Sequence, residues 1–125
     1  MDKFDFIEAD DYYDMACQWR LEKEWEKAIT CFKHAIELNK NFIYAYIDLA
    51  AVHARLGDYH DAVTVLKKAV KLDPGFDLLY YNIAKYSYRH GEIAEALKSI
   101  EEAINLNSID LYKRIRNVIL KKLKA

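Results

Sequence analysis

Displaced by 34 positions, the middle of this chain falls on the segments before and after it: Tyr12, Tyr46 and Tyr80 share one column, Met15, Leu49 and Ile83 another, and Leu38, Leu72 and Leu106 a third. Three further columns are alanine in every copy: Ala16 with Ala50 and Ala84, Ala28 with Ala62 and Ala96, and Ala35 with Ala69 and Ala103. The copies span residues 9–42, 43–76 and 77–110. A repeat of this length is too short to bury a core alone, so successive copies must stack and share one. That requirement excludes most folds before composition is considered.

Within each copy the apolar residues return every three or four positions, which predicts two helices per copy. The expected helices run near Ala9–Glu22 and Glu24–Leu38, Ile43–Leu56 and Tyr59–Leu72, and Leu78–His90 and Ile93–Leu106. Invariant alanine has a physical cause here: where antiparallel helices approach closely, a larger side chain would force them apart. Gly57 and Gly91 occupy the turn inside the second and third copies, whereas the first has Lys23, so that turn is expected to differ in shape. Asp73-Pro74-Gly75 closes the second copy, since proline cannot continue a helix. Three glycines and one proline leave little room for long loops. The reading is one all-α domain over residues 1–125.

The two ends depart from the repeat. Residues 1–8 are too short for an element of their own and are expected to form a flap whose Phe4, Phe6 and Ile7 cover the first helix pair, or else an arm that docks on a neighbour. Asp10, Asp11 and Asp14 would then sit in the first turns of a helix, opposing the positive end of its dipole. At the other end Ile115, Val118 and Ile119 repeat Tyr80, Ile83 and Ala84 at a spacing of 35, which implies that the preceding turn has gained a residue. This capping helix, near 111–124, would shield the third copy with Leu111, Ile115, Val118 and Ile119.

A period near 34 with small residues at fixed columns and a helix-turn-helix inside each copy resembles the tetratricopeptide repeat (TPR) family. The resemblance implies a right-handed α-solenoid of three helical hairpins and a capping helix, acting as a non-catalytic protein-protein interaction module. The first helix of each pair would line the concave face, where the family's ligands are mostly extended peptides or helices. Mapped onto this chain, the inward positions are Tyr13 and Cys17 from the first repeat, Tyr44, Ile47, Asp48 and Ala51 from the second, and Tyr81, Asn82, Lys85 and Tyr88 from the third. Arg20, Arg55 and Arg89 stand near one rim, and Leu120 and Leu123 would extend the wall. One subclass grips the C-terminal carboxylate of heat-shock chaperones with lysine, asparagine and arginine; the corresponding columns here read Tyr13, Cys17, Asp48, Tyr81 and Lys85, and Asp48 would repel such a tail. A peptide or amphipathic helix with apolar anchors suits this surface better.

A second reading is a self-assembling scaffold. Met1 to Asp14 holds six acidic residues and one lysine, while Leu111 to Lys124 holds six basic residues and no acidic one. Oppositely charged ends can stack head to tail, or they can simply compensate helix dipoles.

Other classes are disfavoured. A net charge of -1 gives no basic excess for nucleic acid, no apolar run is long enough for a membrane span, and the acidic N-terminus is unlike a secretory signal, which predicts a cytoplasmic protein with reduced Cys17 and Cys31. There is no phosphate loop, nucleophile elbow or His-Glu-x-x-His helix, so neither an enzyme nor a cofactor is expected. Cys31 with His34 is the one metal-like spacing, and two ligands do not make a site. His53 shares a column with Trp19 and Ser87 and is expected to be packed and hydrogen-bonded.

Overall fold

A computed structural model describes residues 2–125. Seven helices follow in order: α1 (Lys3–Leu21), α2 (Trp25–Leu38), α3 (Ile43–Arg55), α4 (Tyr59–Leu72), α5 (Asp77–Arg89), α6 (Ile93–Leu106) and α7 (Asp110–Lys124), with no strand among the described residues. Extensive backbone approach joins only helices successive in sequence, α1 to α2 through α6 to α7. That pattern is the all-α superhelical stack expected from the repeat.

The nine column alanines are fully buried. The helices therefore close on side chains that add one methyl group, and the larger apolar residues pack around them. Phe32 and Val52 fill the space around Ala16 and Ala28, Leu66 and Leu79 the space around Ala50 and Ala62, and Ile100 and Ile119 the space around Ala84 and Ala96. The tyrosine column ties the copies together in another way. The hydroxyl of Tyr46 donates to the Lys40 carbonyl and that of Tyr80 to the Pro74 carbonyl, each at 3.0 Å, so each pins the turn that leads into its own helix.

The turn inside each copy is the same three times. Its residue at the left-handed position is Lys23 (φ 62°), Gly57 (φ 84°) or Gly91 (φ 86°). The next residue's N–H returns to a carbonyl five positions back, Glu24 to Trp19, Asp58 to His53 and Glu92 to Ser87, all at 2.9 Å. This double-bonded helix ending satisfies carbonyls that would otherwise be orphaned. The first turn thus keeps the shape of the others, contrary to expectation, and Lys23 carries the strain: a left-handed backbone costs a side-chain-bearing residue roughly 1–2 kcal/mol. A Cβ at Gly57 or Gly91 would meet nothing within 4 Å, so the conformation alone favours glycine.

Both ends correct the sequence reading. Residues 3–8 are not a flap but the opening turns of α1, started by Asp2, whose side chain accepts from the Asp5 N–H while the Asp5 carboxylate accepts from the Asp2 N–H. Asp10, Asp11 and Asp14 consequently lie well inside the helix. Phe4, Phe6 and Ile7 cover nothing: Phe4 is 73% exposed and Ile7 59%. At the C-terminus α5 begins at Asp77 and α7 at Asp110, so the step is 33 residues and the connection is one residue shorter, not longer. Tyr112 therefore takes the column of Leu79 and Ile119 that of Tyr86, both buried against α6, while Val118 is exposed. Ile119 is bulky because it stands outside the alanine column, which Asn117 occupies. Tyr112 anchors the cap by donating to Asp77 Oδ2 at 2.5 Å.

Replacing Ala50 with leucine should lower the unfolding free energy by about 1–3 kcal/mol through overpacking. Urea titration would show this as a lower midpoint at unchanged slope; an unchanged midpoint would mean that the α3-α4 contact has slack.

Candidate functional site

The inner columns of α1, α3 and α5 form a connected surface. Tyr13 of α1 donates its hydroxyl to Asp48 of α3 in a short hydrogen bond, and Arg20 Nη1 reaches the other oxygen of the same carboxylate at 3.4 Å. The Tyr13 ring stacks on Phe42 at 4.9 Å and meets Phe32 edge-on at 5.7 Å. Cys17 lies beside this cluster; burial pushes its thiol pKa up, against the lowering influence of Arg20. Asp48 is thus a satisfied, partly buried group bridging two repeats. It is more a rivet than a free acid.

Further along, Tyr81 stacks on Tyr112 at 5.2 Å, and Lys85 Nζ lies 5.0 Å from the centre of the Tyr81 ring and 5.5 Å from that of Tyr86. Burial, then the nearby Arg89, lowers the Lys85 pKa. Arg55 and Arg89 line a cleft of about 320 Å³ with Ala51, Ala54, Tyr59 and Tyr86. Among the described residues the ion pairs are Arg20–Asp48, His34–Glu37 and Lys67–Glu95, so Arg55, Lys85 and Arg89 have no acidic partner. This end of the inner face is cationic and uncompensated.

The expected residues divide by what they already do. Tyr13 and Asp48 hold α1 to α3, and Tyr81 packs on the cap. Ile47 and Tyr88 are half-buried against the core, and Asn82 is only 8% exposed. Tyr44 is 58% exposed, with one edge contact to Phe76 at 6.1 Å. Carrying the columns across the 33-residue step places Leu111 after Tyr44, Arg114 after Tyr81, Val118 after Lys85 and Lys122 after Arg89. On this register Leu120 and Leu123 leave the inner columns, and these residues stand in their place. The connection is two residues shorter than a spacing of 35 implies, which hid them.

Elsewhere the chemistry is sparse. Cys31 is buried and His34 is stacked on Tyr12 at 5.1 Å. Ligand atoms of His53, Asp58 and Asp61 come within 4.8 Å of one another across the Gly57 turn, but both aspartates are exposed at the start of α4, where acids suit the helix dipole. Nδ1 of His53 is buried without a hydrogen-bond partner, which corrects the expected hydrogen-bonded histidine. No helix among the described residues is long and apolar enough to cross a membrane.

Three family models match in succession: one described as a TPR repeat over residues 20–57, and two described as a tetratricopeptide repeat over residues 45–86 and 78–110. No curated protein matches the chain. Among solved structures, the chain is similar to the first TPR domain of Spaghetti (RPAP3) bound to the HSP90 peptide SRMEEVD, with a TM-score of 0.88, 16% identity and 96% of each chain covered. It is also similar to the Yersinia enterocolitica type III secretion chaperone SycD in complex with a peptide of the translocator YopD, with a TM-score of 0.82, 18% identity, and 90% of this chain and 92% of that one covered. The Sgt2 TPR domain from Aspergillus fumigatus gives 0.83 at 18% identity, over 94% and 80%. At these identities the likeness establishes the fold.

Tyr13 and Tyr112 supply a pH test. Burial, and then the bond to and charge of Asp48 or Asp77, raises each phenol pKa well above the ordinary tyrosine value. Because the folded value exceeds the unfolded one of about 10, their contribution is intact below that pH and is lost as pH climbs through the folded value. Stability should therefore fall as pH rises above about 10, and Tyr13→Phe and Tyr112→Phe should each flatten that fall in urea titrations. An unchanged pH slope in both variants would contradict the assignment.

Proposed function

The chain belongs to the tetratricopeptide repeat family, and from that premise we propose that the inner face of α1, α3 and α5 is a non-catalytic binding site. Its ligand is a peptide or amphipathic helix with apolar anchors and at least one acidic group. The observation that carries this reading is a set of cations without an acidic partner: Arg55 and Arg89 line one cleft, Arg55 also lying over the Trp25 ring at 5.7 Å, and Lys85 lies beside it over Tyr81 and Tyr86. Cations left unpaired beside tyrosine rings gain most from a ligand that brings both a carboxylate and apolar surface. The peptide-bound states of the RPAP3 and SycD structures support a peptide ligand for this fold.

The same geometry argues against a chaperone-tail clamp in its usual place. Asp48 stands in a clamp column and is already held by Tyr13 and Arg20. An acidic group would instead be received nearer the C-terminal ends of α3 and α5. Tyr44 is the natural apolar anchor, because it offers a large aromatic surface that the fold does not use. Tyr13, by contrast, is engaged in the fold, so its removal would confuse binding with stability.

Peptides selected from a random display library against the protein supply the ligand for the test. Tyr44→Ala should weaken their binding about tenfold, or about 1.4 kcal/mol, and Arg89→Gln should weaken acidic peptides but not their glutamine counterparts. Fluorescence anisotropy measures both, with thermal melts confirming an intact fold. Selected peptides that are indifferent to both substitutions would sink the proposal.

A further inference from the structure

We propose that the chain also carries a heterologous self-association site, in which the projecting start of α1 from one copy docks on the inner strip of α7 in another. None of residues 3–8 is buried, although α1 is regular and capped from Lys3 onward. Phe4, Ile7, Glu8 and Asp11 fall at positions i, i+3, i+4 and i+7, so this overhang presents an apolar pair flanked by carboxylates. Its own chain gives it nothing to pack against.

The complementary strip lies at the opposite end. Leu111, Arg114, Val118 and Lys122 share one face of α7, with Leu111 39% and Val118 51% exposed. Lys121 adjoins them. The cap is held by a different face, through Tyr112, Ile115 and Ile119, so the strip can be covered without loosening the third repeat. An amphipathic helix sets apolar side chains against apolar ones and places its acids beside bases, and the overhang and the strip match on both counts.

Charge complementarity selects a second copy as the occupant. Six acidic residues precede or include Asp14 with a single lysine among them, and six basic residues lie from Leu111 to Lys124. Within one chain α1 and α7 share no extensive contact, since such contact joins only neighbouring helices of the stack. Dipole compensation accounts for acids at a helix start and bases at a helix end, but it does not require exposed Phe4, Ile7, Leu111 and Val118. A head-to-tail contact of this kind propagates into rings or open chains rather than closing as a symmetric pair.

The test is a mixing experiment on full-length protein by light scattering and analytical ultracentrifugation. The wild type should gain mass with concentration and lose it at high salt. A Phe4→Ser/Ile7→Ser variant and a Leu111→Ser/Val118→Ser variant should each remain monomeric alone, since all four side chains are exposed and the fold should be kept, as circular dichroism would verify. Mixed, the two variants retain one good surface each and should form a one-to-one dimer that grows no further. A wild type that stays monomeric at every concentration, variants that associate as the wild type does, or a mixture that yields no heterodimer would each overturn the proposal. Because no peptide ligand is used, failure here leaves the groove reading untouched.

Discussion

The close approach of paired helices at the alanine columns governs the rest of the structure. Nine positions, three in each repeat, carry only a methyl group, and all are fully buried. Dispersion and apolar burial then act over the whole length of each pair. The spacing so imposed decides where every other column points. Positions on the far side of α1, α3 and α5 face neither partner helix and are released for other work. The proposed binding face is therefore a consequence of the core, because the same residues that fix the pairs determine which side chains are left over.

Not all of those side chains are equally free. Tyr13, Asp48 and Arg20 stitch the first two repeats together, and Tyr112 with Asp77 stitches the cap to the third. Such bonds turn potential ligand contacts into structure, at the cost of binding surface. What remains is asymmetric. The first end of the inner face is tied up by a satisfied acid, and the second carries Lys85, Arg89 and Arg55 around tyrosine rings. An approaching peptide would experience that contrast as a direction, which is how electrostatic complementarity sets register and orientation.

Much of the fold was legible because it is periodic. Fixed columns give helix pairing, the buried alanines and the repeated turn, since each is a local rule applied three times. The errors fell where repetition stops. Asp2 and Asp5 form a capping box that starts α1 six residues before the first repeat, a signal present in the sequence but outvoted by the expectation that Ala9 begins the helix. The last connection lost a residue where the reading had added one, and that two-residue difference turns a helix face by about 200°. It moved Leu111 and Val118 out of the predicted core stripe and brought Tyr112 into it. Lys23 shows another limit: a left-handed lysine is uncommon, and the turn kept its shape because the bonds around it outweigh the local strain. For the site, column arithmetic gives the inward positions only as an expectation and cannot say which are already engaged, because that depends on contacts such as Tyr13 with Asp48 that join different repeats.

The two cysteines provide a direct test of the division between fold and binding face. Cys17 stands on the inner columns and is partly accessible, whereas Cys31 is buried in the α1-α2 core. Alkylation rates of each thiol, followed by mass spectrometry with and without a bound library-selected peptide, separate the two surfaces in one experiment. Cys17 should react in the free protein and be protected when peptide binds, while Cys31 stays inert in both states. A peptide that binds tightly yet leaves the Cys17 rate unchanged would place the binding surface away from the inner columns of α1, α3 and α5.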